Sequence, residues 1–109
     1  MEYLLENIDW EIDSEALRFK VESILDNITD DLINYHLYAN KYADAVIYGK
    51  AAEYVDKYKY EMDKYSYIIR GKLFTLEQFI PYEFQFYTIS DTVFLQCDLR
   101  VIWSYSEKE

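Results

Sequence analysis

The chain contains one proline, Pro81, and its hydrophobic periodicity changes across that residue. Proline lacks the amide donor that a helix needs, and it pushes the residue before it out of the helical region. Upstream, from Ser14 onward, apolar residues recur three or four apart, the spacing of helices that each bury one face. Downstream, aromatic and β-branched residues alternate with polar ones, the spacing of strands. An alternating segment also precedes Ser14. The predicted class is therefore α+β: two or three central helices packed on an antiparallel sheet made of an N-terminal strand and a C-terminal β-hairpin.

Local signals place the elements. Residues 7–13 alternate strictly, with Ile8, Trp10 and Ile12 on one side and Asn7, Asp9, Glu11 and Asp13 on the other, which predicts a strand. Ser14 stands at an N-cap position, and Leu17, Val21, Ile24, Leu25 and Ile28 give a helix over about 15–28. Thr29 is expected to cap a second helix over about 30–48, with Asp30 and Asp31 in its first turn against the positive end of the dipole. Gly49 is taken as a break. A third helix follows over about 51–70, carried by Tyr54, Val55, Tyr58, Met62, Tyr65 and Ile69, and ends near Gly71. The hairpin covers about 83–105, with one strand to Ile89, a turn at Ser90-Asp91-Thr92, and a long strand from Val93 whose apolar row includes Leu95, Cys97, Leu99, Val101 and Trp103. At 109 residues and 51% apolar composition, one domain over 1–109 is expected.

Several chemistries lack their residues. Two glycines, Gly49 and Gly71, cannot write a phosphate-cradling loop or a dinucleotide fingerprint. His36 is the only histidine and Cys97 the only cysteine, so neither a zinc site nor an intrachain disulfide can be assembled, and both residues are expected to serve packing. The regular acidic loop of a calcium-binding helix pair is missing. No activated nucleophile or acid–base pair stands at a defined spacing. The expectation is a non-enzymatic protein without cofactor or metal. A cytoplasmic location follows from the cysteine usage, from the lack of a signal-peptide pattern and from the lack of a membrane-length apolar run, and no membrane contact is expected.

The formal net charge is -10, which opposes direct binding to nucleic acid. It is unevenly distributed. Residues 1–31 carry -8, residues 32–72 carry +2 and residues 73–109 carry -4. On the predicted first strand Asp9, Glu11 and Asp13 would project from one face at intervals of about 7 Å. Such a row imitates a phosphate chain and fits a basic nucleic-acid channel; it would equally serve as a solvated strand face that blunts aggregation. Glu6 and Glu15 extend the row, and Asp26, Asp30 and Asp31 add to the acidic surface. Nine of the 13 tyrosines lie between Tyr35 and Tyr67, interleaved with lysines. Tyr58 and Tyr65 fall on the apolar stripe, whereas Tyr60 and Tyr67 fall off it and are candidate contact residues for a protein partner, a second copy included.

A compact, acidic, tyrosine-rich chain whose acids include Glu6, Asp9, Glu11, Asp13, Glu15, Asp26, Asp30 and Asp31 resembles phage-encoded inhibitors of host nucleases, especially the anti-CRISPR proteins that act as nucleic-acid mimics. The likeness is one of type and carries no shared motif. It implies a stoichiometric inhibitor of a host nucleic-acid-processing protein with a basic surface, such as a CRISPR-Cas nuclease. The alternative is a phage accessory, immunity-like or assembly protein that binds its partner through the tyrosine-rich helical surface.

Overall fold

A computed structural model describes residues 2–5 and 15–106. Its elements are β1 (Glu2–Leu5), α1 (Glu15–Ile47), α2 (Ala52–Phe79), β2 (Phe84–Ile89), β3 (Thr92–Cys97) and β4 (Arg100–Ser106). The strands form one antiparallel sheet in the order β1-β4-β3-β2, which leaves β2 at one edge. The two helices form a hairpin that packs on this sheet, so the α+β class stands.

Two helices, not three, span the centre. The expected boundary at Thr29 does not exist: Thr29 lies inside α1 and its Oγ1 donates to the carbonyl of Asp26 at 2.6 Å. A threonine hydroxyl that bonds back to the preceding turn is a helix-interior arrangement and leaves no amide to be capped. The buried stripe runs straight through, with Ile28 and Leu32 both at 0% exposure. The break falls at Gly49, as expected. Lys50 N–H donates to Ala45 and Gly49 N–H to Val46, while Gly49 adopts φ +64°, the left-handed C-terminal motif that glycine accepts without steric cost. α2 then continues past Gly71, because Ile69, Leu73 and Leu76 extend its buried face. It stops at Ile80, whose N–H still reaches Leu76 and which is followed by Pro81.

The long C-terminal strand is in fact two strands. A two-residue turn at Asp98-Leu99 joins Cys97 to Arg100, with Asp98 at φ +54°. Aspartate tolerates that region better than most residues, and here Asp98 is held from two sides: its N–H donates to Glu83 and its Oδ1 accepts from Glu83 N–H. Leu99, expected inside, is the tip of the turn and 97% exposed, and Val101 is also outside. A register shift next to Leu95 and Gln96 makes Ile102 the extra residue of a bulge, so Ile102 and Trp103 are both buried although adjacent. The sheet's N-terminal strand is Glu2–Leu5, paired with β4. The alternation at 7–13 lies outside the described residues.

The core sits between the helix hairpin and the sheet: Val21, Leu25, Ile28 and Leu32 from α1, Ile69, Leu73 and Leu76 from α2, and Val93, Leu95 and Trp103 from the strands. His36 closes its far end, fully buried, with Nε2 donating to the Asp91 carbonyl at 2.9 Å and its ring edge-on to Tyr105. Beyond His36 the hairpin runs on to the turn at residues 48–51, and the molecule is elongated, 53 × 28 × 20 Å.

Candidate interaction surfaces

The acids of α1 sort into two groups by helical phase. Glu15, Asp26 and Asp30 are exposed, and so is Glu22, a further acid on the same face. At about 100° per residue these four fall within an arc of roughly 80°, and the last three are about 6 Å apart along the axis. No ion pair among the described residues engages Glu22, Asp26 or Asp30. Phe19 stands within the same arc, 72% exposed. An apolar ring among carboxylates supplies contact area that the charges alone lack. Sequence reasoning missed Phe19, although its position off the buried stripe was the available signal.

Asp31 belongs to the other group. It points at α2, where Lys72 Nζ lies 2.5 Å from its Oδ2 and also contacts the Asn27 side chain. A neutralised, partly buried carboxylate joins the two helices and offers little to a partner. Glu6, Asp9, Glu11 and Asp13 lie outside the described residues.

The tyrosines divide as their phase predicted. Tyr38 and Tyr65 stack between the helices at a centroid distance of 6.0 Å, and Lys41 lies over both Tyr38 and Tyr58. Tyr60 and Tyr67 stand free on the opposite face of α2, 67% and 82% exposed. Phe74 completes the row at 64% exposure. These three aromatics are seven residues apart, so they succeed one another about every 10.5 Å along a single line of the helix. The 60, 67, 74 spacing carries this signal in the sequence, but a helix ending near Gly71 leaves Phe74 outside it, whereas α2 runs to Phe79.

The molecule therefore has two unlike flanks. The acidic arc of α1 is turned about a third of the helix circumference away from the side that carries Asn27 and Asp31 and meets α2. The aromatic row lies on the outer side of α2. Beneath that row a groove of about 420 Å³ opens between α2 and the edge strand β2, lined by Arg70, Phe74 and Glu77 above and by Phe84 and Phe86 below.

The remaining reactive groups are occupied by structure. Burial, reinforced by the neighbouring Asp98 carboxylate, pushes the Cys97 thiol up to about 11, so it stays protonated at neutral pH and is a poor nucleophile. Burial likewise raises the Tyr35 hydroxyl. Among the described residues no three His, Cys, Asp or Glu side chains converge as metal ligands would. No helix among them is long and apolar enough to cross a membrane.

Comparison with protein-family models, curated proteins and solved structures finds no match to this chain.

Proposed function

We propose that the protein is a non-catalytic inhibitor that binds a basic, nucleic-acid-holding surface of an effector enzyme through the acidic flank of α1 and keeps the nucleic acid out. A phage-encoded protein acting on a CRISPR-Cas nuclease is the form of this reading that we favour. The observation that carries it is the exposed arc Glu15, Glu22, Asp26 and Asp30, with Phe19 set among the charges. A rigid helix holds these carboxylates at fixed spacing, so arginine and lysine side chains that ordinarily grip phosphate meet charge-assisted partners with little ordering cost. Residues 1–14 carry five further acids and no base, which strengthens the field on the N-terminal side of the chain.

The test is inhibition of target-DNA cleavage by a panel of guide-loaded CRISPR-Cas nucleases, comparing the wild type with Glu22→Lys/Asp26→Lys/Asp30→Lys. These positions are exposed, so the variant should keep its helical circular dichroism. Placing like charges against a basic channel should weaken inhibition by roughly 100-fold, and wild-type binding should fall steeply with added salt. Undiminished inhibition by the folded variant would refute the mechanism.

A second reading rests on a separate observation, the aromatic row Tyr60, Tyr67 and Phe74 on α2. A partner protein docked there would depend on Tyr60 and Tyr67 more than on the acidic arc, with little salt dependence. Tyr60→Ala and Tyr67→Ala measured beside the charge reversal separate the two.

A further inference from the structure

The edge strand β2 and the aromatic row of α2 lie on the same flank, and the geometry of each defines a centre of symmetry. In an antiparallel ladder the backbone groups of alternate residues point to opposite sides. Phe84 N–H turns away from β3 and donates to Glu77 Oε2 at 3.0 Å. Phe86 and Thr88 share its direction, so their N–H and C=O groups face outward, with no partner among the described residues. Thr88 Oγ1, buried and also without a hydrogen-bond partner among the described residues, sits at the same edge. The strand sequence Phe-Gln-Phe-Tyr-Thr-Ile holds no charge and no proline, none of the devices that keep an exposed edge from pairing. Because Glu77 already occupies Phe84 N–H, an added antiparallel strand has Phe86 and Thr88 left to use. If that strand is a second β2, Phe86 of one copy pairs with Thr88 of the other and the two-fold axis passes through Tyr87.

The helix gives its own centre. Tyr60, Tyr67 and Phe74 are symmetric about Tyr67, so an antiparallel copy of α2 would set Tyr67 against Tyr67 and Tyr60 against Phe74. Asp63, whose carboxylate accepts from Lys59 Nζ at 3.0 Å in an exposed i,i+4 pair that a partner can replace, and Arg70, also seven residues apart, lie on the side of α2 toward β2 and flank the same point, so each would face the other's counterpart. The two centres lie within one helical turn of each other. Glu77 reaches Phe84 and Arg70 lies over Phe86; at about 3.3 Å per strand residue and 1.5 Å per helix residue the level of Tyr87 falls at about residues 68–70 of α2.

We propose that β2 and the outer face of α2 form the interface for a second copy of this chain, about a two-fold axis through Tyr87 and Tyr67. The two sheets join edge to edge into one, α2 packs on α2 above the seam, and Asp63 pairs twice with Arg70. An isologous interface requires every patch to complement itself. Here the ladder, the aromatic row and the charge pair are each self-complementary, about centres that lie within one helical turn of each other. The acidic flank of α1 lies away from this seam, so the assembly carries it twice, and the proposal stands or falls independently of the inhibitory reading.

Sedimentation equilibrium of the full chain from micromolar to submillimolar concentration tests it. Wild type should approach twice the 13.2 kDa chain mass; a monomer throughout overturns the proposal. Asp63→Arg and Arg70→Asp each set like charges across the axis, and each alone should weaken dimerisation by roughly 100-fold. Mixed one to one, they restore two attractive pairs and should dimerise again. Variants that dimerise as wild type does, or a mixture that stays monomeric while both chains are folded, overturn the interface. Tyr67→Glu, at a side chain 82% exposed, gives an independent check should either charge variant fail to fold: it should be monomeric, and an unchanged dimer overturns the axis.

Discussion

Replacing each of the two glycines by alanine should change stability in opposite directions. Gly71 lies inside α2, has no positive φ, and an added Cβ meets nothing within 4 Å. Alanine there costs no contact and removes the entropy that glycine loses on entering a helix, so Gly71→Ala should stabilise by about 0.5–1 kcal/mol. Gly49 also has open space around its Cβ position, but its φ is +64°. An L-residue held there pays about 1–2 kcal/mol, offset in part by the smaller entropy of the unfolded chain. Gly49→Ala should therefore destabilise by about 1 kcal/mol. The two variants are separated by about 2 kcal/mol although both add one methyl group to empty space. Urea unfolding at one fixed protein concentration reads this directly: with a slope near 1.5 kcal/mol/M, the midpoint should rise by about 0.5 M for Gly71→Ala and fall by about as much or more for Gly49→Ala. A loss of stability in Gly71→Ala with the slope unchanged would refute a helix that passes through residue 71, and with it the placement of Phe74 in line with Tyr60 and Tyr67.

Two further expectations follow from the same contacts. Cys97 keeps its proton in the folded state up to about pH 11, whereas the unfolded thiol loses it near 9. Between those values the folded state binds more protons, so stability should fall as pH rises through that window and be unaffected below it. The loss should shrink in Cys97→Ala, and the native thiol should resist alkylation at pH 8 until urea exposes it. The Asp31–Lys72 pair at 2.5 Å is partly buried, and a double-mutant cycle with Asp31→Ala and Lys72→Ala should return a coupling of roughly 1 kcal/mol, above the usual value for a fully exposed pair; a coupling near zero would mean the pair does not join the helices.

Much of this fold was legible because its punctuation is chemical. Gly49 announces a left-handed helix end and Pro81 a stop, and both operate as local backbone physics requires. Thr29 misled because a threonine beside aspartates offers two hydrogen bonds: to the amides of a following turn, or back to the Asp26 carbonyl. Continuity of the buried stripe decides between them, and Ile28 and Leu32, four apart, carry it through. The split of the last strand was hidden because alternation from Val93 to Val101 continues across a two-residue turn without losing phase. What reverses the chain is the positive φ of Asp98 and its two bonds to Glu83, fifteen residues earlier in sequence. The candidate surfaces follow the same division. Exposure of Tyr60 and Tyr67 was readable from helical phase alone. The inward turn of Asp31 was not, because its partner Lys72 is 41 residues away and only the packing of α1 against α2 brings them together.

The proposed inhibition requires that the acidic flank exclude nucleic acid from the enzyme that holds it. Fluorescence anisotropy of a labelled target duplex on the inhibited nuclease, titrated with this protein, measures that exclusion. If the acidic flank acts as proposed, anisotropy should fall to the value of free duplex at one bound copy of this protein per enzyme, and the Glu22→Lys/Asp26→Lys/Asp30→Lys variant should leave it high. A complex in which enzyme, duplex and this protein remain bound together would contradict it.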